Sequence, residues 1–289
     1  MEILSALPIQ ALHGLIYGML LFLVASGLTL IFGMMGVLNF AHGALYMLGA
    51  YFSFSVLQWT GSFWLSLFIA PLFVGVVGIV IERFLLRKVH VYGHAHELLL
   101  TFGIAYIVEE LVKIFWGNEP LLVRLPAMLK GSVPLLGIEY PVYRLFILGV
   151  STLVFVLLVM VLFRTRAGII VRAAVMNKDM VDALGFNVPL IFLLLFGMGA
   201  WLAGLAGVIG GPYLITNPAM ASTIIIDLFV VVVVGGLGSI QGALIASLLI
   251  GQLQSIGILV LPQFAIFFEF LLMALVLIFR PHGLMGEAK

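Results

Sequence analysis

Apolar residues form long runs along almost the whole 289-residue chain, and short polar stretches separate one run from the next. A helix needs about 20 such residues to cross the hydrocarbon core of a bilayer. On this criterion we predict spans at 9–33, 40–58, 62–86, 97–116, 142–164, 190–210, 222–236, 240–259 and 263–280. The pattern indicates an all-α polytopic membrane protein with about 8–9 transmembrane or discontinuous helices, in a single transmembrane domain over residues 1–289.

Composition supports the membrane assignment and narrows the range of functions. Charged residues make up only 9% of the chain and hydrophobic residues 64%, whereas a soluble domain carries about 25% charged residues. A net charge of +1 provides no basic face for nucleic acid. The absence of cysteine excludes disulfides, thiol catalysis and thiolate metal sites.

The basic residues predict the orientation of the chain. One side of the predicted bundle carries Arg83, Arg87, Lys88, Arg164, Arg166, Arg172, Lys178, Arg280 and Lys289. The other side carries only Arg124, Lys130 and Arg144, with Lys113 at the edge of a span. Because cytoplasmic loops are rich in Lys and Arg, we expect the loop at about 165–189 and the C-terminus in the cytoplasm. The N-terminus and the loop at about 117–141 are then expected outside.

The predicted cytoplasmic loop contains the signals of a short helix over 178–184. Asn177 is a good N-cap, and Gly185 stands where a helix needs a left-handed terminator. Met180, Ala183 and Leu184 form one apolar stripe. The segment is either a connecting loop that packs on the membrane surface or a coupling helix for a cytoplasmic partner. For the coupling role the candidate residues are Arg172, Asn177, Lys178, Asp179, Met180, Asp182, Ala183, Leu184 and Gly185.

The stretch "GMMGVLNFAHGALYMLGA" (33–50) places polar residues and glycines together in an apolar region. Asn39 and His42 share a helix face with Tyr46, and such groups need a partner or water inside a membrane. They either join helices by hydrogen bonds or border a translocation path. The candidate pathway residues are Asn39, His42, Tyr46, Gln241 and Gln252, with Thr29 and Asn217 as weaker candidates.

Two segments are expected to be interrupted helices, namely the start of 40–58 and the short span 222–236. The expected helix breaks are Gly33, Gly36, Gly43, Gly235, Gly236 and Gly238. "HGAL" at 42–45 has an echo in "QGAL" at 241–244, so the two regions are candidates for an internal inverted repeat. A further glycine pattern, from Gly199 through Ala203 and Gly207 to Gly211, predicts close helix packing.

Motifs for an enzyme are missing from the sequence, and we expect no catalytic role. No phosphate-binding G-x-x-x-x-G-K-[ST] motif occurs, and "HAHELLL" (94–100) lacks the second His of a zinc protease. We expect no metal site at His90, His94 and His96, whose predicted neighbours are lipid headgroups or a partner. An alternative function is a secondary, ion-coupled transporter or a channel for a small polar solute, for which Asp227 is the best candidate among Glu109, Glu110, Asp227 and Glu269.

Five stretches, taken in order, resemble the branched-chain amino acid ABC permeases of the LivH type. These are "GLIYGMLLFLVASGLTLIFGMMGVLNFAHGALYMLGAYFSF" (14–54), "RAAVMNKDMVDALGFN" (172–187), "GLAGVIGGP" (204–212), "VVVVGGLGSIQGALIASLLIG" (231–251) and "FRPHGLMG" (279–286). The cytoplasmic loop departs from the EAA motif of other importers, since Arg172 stands where that motif has Glu.

The resemblance implies a permease subunit of a binding-protein-dependent importer in a bacterial or archaeal plasma or inner membrane. Its implied partners are a second, homologous permease or a second copy of this chain, two cytoplasmic ATPase subunits and an extracytoplasmic solute-binding protein. ATP would bind to the partner subunits, so no cofactor is expected in this chain. The resemblance implies amino acids of the branched-chain type, or a related small polar solute, as substrate.

Overall fold

A computed structural model describes residues 2–135 and 137–286, and it shows a bundle of long helices. The helices are α1 (Glu2–Met35), α2 (Ala41–Thr60), α3 (Phe63–Ile81), α4 (Arg87–Val89), α5 (His94–Trp116), α6 (Val142–Arg164), α7 (Arg166–Met176), α8 (Lys178–Ala183), α9 (Val188–Leu214), α10 (Met220–Gly235), α11 (Ile240–Val260) and α12 (Ala265–Phe279). A π-helix at Glu82–Leu86 and 3-10 turns at His90–Tyr92, Ala127–Leu129 and Pro262–Phe264 complete the helical segments of the described residues.

Each of the nine predicted spans corresponds to one long helix, and the all-α polytopic class is confirmed. Five segments are long and apolar enough to cross a membrane by themselves: Leu7–Gly33, Phe63–Tyr92, Val142–Arg164, Val188–Leu214 and Ile240–Val260. Met220–Gly235 and Phe267–Phe279 are shorter apolar helices. Lys289, one of the basic residues used to predict the orientation, lies outside the described residues.

Helix α1 lies in the core of the bundle, where it packs along α11 and also contacts α9, α6 and α10. Glycines permit these close contacts. A methyl group on Gly14 would lie 2.8 Å from the Gly251 carbonyl oxygen, and one on Gly199 would lie 2.8 Å from the Gly27 carbonyl oxygen. Gly207 lies in the same way against the Tyr46 backbone of α2. The predicted close packing of this glycine pattern is therefore confirmed within the chain.

The prediction of helix breaks was partly wrong. Gly33 and Gly43 lie inside α1 and α2, where they allow close packing: a methyl group on Gly33 would meet Gly238, and one on Gly43 would meet the Ala221 carbonyl. The start of 40–58 and the segment 222–236 are uninterrupted helices. The chain leaves the helical conformation at Gly36, Gly236 and Gly238, which have φ angles of +67°, +101° and +85°. Gly235 is the last residue of α10.

The two glycine-rich breaks lie side by side. A methyl group on Gly33 would be 3.2 Å from the Gly238 Cα atom. Helices α2 and α11, which follow the breaks, therefore start from the same end of the bundle. An inverted repeat would start them from opposite ends, so the relation predicted between the "HGAL" and "QGAL" segments was wrong in direction.

Two elements of the loops were not predicted. Helix α7 precedes the predicted short helix, and Thr165 Oγ1 caps it by accepting a hydrogen bond from the Gly168 N–H at 3.1 Å. In the 117–141 loop, strands β1 (Ser132–Leu135) and β2 (Ile138–Pro141) form an antiparallel hairpin. The hairpin ends directly before α6, so it fixes where that helix enters the bundle.

Candidate translocation and coupling sites

Helix α8 forms where the sequence predicts it, with caps at both ends. Asn177 Oδ1 accepts a hydrogen bond from the Met180 N–H at 2.9 Å. Gly185 has a φ of +88°, and its N–H donates to the Asp182 carbonyl at 2.9 Å. A helix of this length does not persist in water by itself, so the caps and its contacts hold it.

The predicted apolar stripe of α8, formed by Met180, Ala183 and Leu184, is exposed and does not pack against the rest of the chain. Val181 is buried in a small cluster with Ala174, Val188 and Leu195. Met180 and Leu184, by contrast, are 59% and 69% exposed. The remaining coupling candidates Lys178, Asp179, Asp182, Ala183 and Gly185 are exposed as well, and Arg172 is half-buried, with its guanidinium 4.9 Å from the Phe163 ring centroid.

A groove of about 320 Å³ connects the start of α8 with the rest of the bundle. Asn177, Lys178 and Asp179 line it on one side. Met35, the last residue of α1, and His90 line it from the bundle. Met35 also packs against the cluster that contains Val181, so this cluster links α8 to the end of α1, directly before the break at Gly36.

The histidines at 90 and 94 surround a buried carboxylate that the sequence analysis did not connect with them. Glu97 contacts His90 Nδ1 through Oε1, and its Oε2 lies 3.2 Å from His94 Nδ1. Its side chain is only 2% exposed. His96 instead packs against Tyr92 in a tilted arrangement, with ring centroids 5.7 Å apart.

The polar face of α2 is fully buried. His42 Nε2 donates a hydrogen bond to the Val24 carbonyl of α1 at 3.0 Å. Asn39 Oδ1 accepts from the Ala41 N–H at 3.1 Å and so helps to begin α2. The Tyr46 hydroxyl is buried and has no hydrogen-bond partner among the described residues. This arrangement favours the joining role for His42 that the sequence left open.

The other pathway candidates lie apart from this face. Gln241 is exposed on the first turn of α11, and Gln252 Nε2 donates to the Ala11 carbonyl at 2.8 Å. Thr29 is buried in α1. Asn217 Nδ2 donates to the nearby Ile215 carbonyl at 3.3 Å, in a loop. Within one chain, therefore, Gln241 and Gln252 do not lie together with the buried candidates of α2.

The carboxyl groups of the membrane region fall into two kinds. Glu109 and Glu110 both contact Lys113 Nζ, at 2.9 Å and 2.7 Å, so this lysine partly neutralises their charges. Asp227 Oδ2 accepts a hydrogen bond from the Tyr17 hydroxyl at 2.8 Å. Glu269 is 3% exposed, and its Oε1 has no hydrogen-bond partner in the described part of the chain.

These features define an all-α polytopic membrane protein with polar groups between its helices. The chain belongs to the family described as the permease component of the branched-chain amino acid transport system, which matches residues 10–279. It is 31% identical to the high-affinity branched-chain amino acid transport system permease protein BraD of Pseudomonas aeruginosa, over 97% of this chain and 96% of that protein.

Two further relatives carry similar names. The permease protein LivH of a high-affinity branched-chain amino acid transport system in Escherichia coli K12 is 29% identical, over 97% of this chain and 96% of its own. A probable LivH permease of Methanocaldococcus jannaschii is 29% identical over 84% and 78%. No solved structure matches the chain. The resemblance found in the sequence is therefore confirmed.

Proposed function

We propose that this chain is the membrane-spanning permease subunit of an ATP-driven, binding-protein-dependent importer. Its substrate is an amino acid of the branched-chain type or a related small polar solute, as the names of its relatives suggest. Two cytoplasmic ATPase subunits bind ATP, a second related permease or a second copy completes the path, and an extracytoplasmic binding protein delivers the solute. The 165–189 loop and the C-terminus face the cytoplasm, and the N-terminus faces outward.

The observation that carries the coupling role is the exposed stripe of α8. Its caps and Val181 hold the helix in place, yet Met180 and Leu184 remain exposed, and Met176 at the end of α7 is 88% exposed. Apolar side chains grouped on a rigid element mark a docking surface. The ATPase subunit binds here, and the cluster of Val181, against which Met35 packs, passes its movement to the end of α1.

The pathway follows from the same movement. Gln241 is accessible on the surface of the chain, whereas Asn39 and Tyr46 are buried between helices. A solute meets these two side chains only when neighbouring helices move apart. A lining of a few amide and hydroxyl groups binds the solute weakly, which allows release after the binding protein has provided selectivity.

The test is the double variant Met180→Ala/Leu184→Ala in the reconstituted complete complex. Loss of two apolar contacts of roughly 1.5–3 kcal/mol each should weaken ATPase association by about a hundredfold or more, and transport should fall with it. The matched control is Leu157→Ala/Met160→Ala, which removes another exposed leucine and methionine, 47% and 52% exposed, from α6. Normal transport and ATPase association in the α8 variant would contradict the coupling role.

The wild-type complex tests the wider proposal. Uptake should require ATP inside the vesicles and should persist when a protonophore removes the proton gradient. Uptake that continues without ATP and stops with the protonophore would instead show an ion-coupled carrier.

A further inference from the structure

Arg144 lies in the first turn of α6, at the end of the bundle opposite the 165–189 loop. Its Nη1 donates to His13 Nε2 at 2.6 Å. Because that nitrogen accepts the bond, the imidazole of His13 is neutral and carries its proton on Nδ1. The guanidinium carbon lies 5.9 Å from the ring centroid of Tyr140 and 5.6 Å from that of Tyr213. The side chain is therefore held in position by three neighbours.

None of these neighbours balances the charge. Across residues 2–135 and 137–286, no carboxylate forms an ion pair with Arg144. A guanidinium has five N–H donors, and His13 is its one partner among the described hydrogen bonds. Arg144 is half-buried, so water screens its charge only in part. Such a group attracts an anion.

The hydroxyl of Tyr140, next to Arg144, is a second hydrogen-bond donor. The Tyr140 side chain is 1% exposed, and its hydroxyl has no hydrogen-bond partner in the described part of the chain. Burial raises the pKa of this hydroxyl more than the neighbouring Arg144 guanidinium lowers it, so it keeps its proton and can donate. A buried hydroxyl without a partner costs free energy, unless a ligand supplies the acceptor.

We propose that Arg144 and Tyr140 bind the carboxylate of the solute as it enters the permease. The planar fork of a guanidinium matches the two oxygens of a carboxylate, and the N-terminus of α6 adds a favourable dipole at the same place. His13 is a positioning residue. The proposal rests on the proposed function, which places this end of the bundle outside and makes the substrate an amino acid.

Polar groups also border this end of α1 on its other side, as an entry for a charged solute requires. Ser255 Oγ donates to the Gln10 carbonyl at 2.7 Å, and Gln252 Nε2 donates to the Ala11 carbonyl. This third of α1 thus has polar side chains towards both α6 and α11.

A direct test uses the absence of cysteine in the chain. Leu214→Cys provides one partly exposed thiol directly after Tyr213, whose ring lies against Arg144, and its alkylation in the complete complex is followed on this chain by mass. The probes are isovalerate and leucine, which carry a carboxylate, and leucinamide, which does not. At concentrations on the order of 10 mM, suited to weak binding, isovalerate and leucine should slow alkylation severalfold, and leucinamide should not.

The protection should disappear when Arg144→Gln is added to the thiol variant and should persist with Arg124→Gln. Arg124 is a matched control because it is an exposed arginine in the 117–141 loop. Equal protection by leucinamide, or protection that survives Arg144→Gln, would overturn the proposal.

Transport provides the second readout. With saturating binding protein, Arg144→Gln should lower the maximal uptake rate by about tenfold or more, as expected for a lost charged hydrogen bond. Arg144→Lys should restore part of this rate, Tyr140→Phe should lower it severalfold, and Arg124→Gln should leave it unchanged. Wild-type uptake in Arg144→Gln would contradict the proposal.

One result would assign Arg144 to another ligand. If Arg144→Gln weakens docking of the binding protein and no probe protects the thiol, the arginine pairs with an acidic side chain of that protein and the proposal is wrong. If the wild-type complex shows no ATP-dependent uptake, the proposed function fails, whereas the protection experiment still decides whether the carboxylate site exists.

Discussion

His42 on α2 donates a hydrogen bond from Nε2 to the Val24 carbonyl on α1, across 3.0 Å inside the bundle. Both side chains are fully buried. His42→Ala should therefore lower the stability of the chain by about 2–5 kcal/mol, because it opens a cavity and removes the bond. Thermal unfolding of the purified complex measures the effect.

His42→Gln keeps a donor and should recover part of that stability. Transport per folded complex should remain near the wild-type value in this variant, since the bond joins helices. A large loss of transport with unchanged stability would assign His42 to the pathway instead.

Gly207 on α9 should not accept a side chain. A methyl group there would collide with the backbone of Tyr46 on α2, and backbone cannot move aside as a flexible side chain can. Gly207→Ala should separate the two helices and lower the yield and thermal stability of the chain. The matched control is Gly149→Ala on α6, where nothing lies within 4 Å. That change should be neutral, or stabilising by about 0.5–1 kcal/mol.

Glu269 should be replaceable without loss of transport. Its buried Oε1 lacks a partner among the described residues, and a buried polar group of this kind destabilises the fold. Glu269→Met, of similar size, should raise the stability by about 1–3 kcal/mol and leave ATP-dependent uptake intact. Asp227→Asn should also retain ATP-dependent uptake. Abolished uptake in both variants would support the ion-coupled alternative.

Arg87 joins the end of α3 to the start of α9. Its Nη2 contacts Glu82 Oε2 and the Pro189 carbonyl, each at 3.0 Å. Arg87→Ala should destabilise the chain by about 1–3 kcal/mol, since the carboxylate of Glu82 is 3% exposed and would lose its partner. In the double variant with Glu82→Gln, part of that loss should be recovered. If the losses of stability in the two single variants simply add up in the double variant, the ion pair contributes no coupling free energy to folding.

The long helices could be predicted because a bilayer demands apolar runs of a known length. The sixth helix shows this best: residues 142–164 were predicted, and α6 runs from Val142 to Arg164. The short helix α8 was predicted from Asn177 and Gly185, since caps act within a few residues of sequence. Glycines were harder to interpret, because their role depends on which helix packs against them. Gly33 and Gly43 were predicted to break helices, although they permit helix contacts.

The remaining features depend on contacts between distant residues. From the sequence, Arg144 could only be assigned to the outer side of the bundle. Its pairing with His13 joins residues 131 positions apart, and no local pattern indicates such a contact. The β1–β2 hairpin was missed because its pairing, rather than any long apolar run, defines it. Helix α7 has a local sequence signal, the Thr165 cap, but it was not among the predicted helices.

The contact between Gly14 of α1 and Gly251 of α11 has a consequence for biosynthesis. A ribosome makes α1 before α11, so this helix enters the membrane long before its main neighbour exists. Its glycine face must remain against lipid, or against the insertion machinery, until more than two hundred further residues have been translated. Helices that insert one by one can still assemble afterwards. A chain that stops before α11 would leave its first helix without that partner, and cellular proteases would then encounter an incomplete bundle.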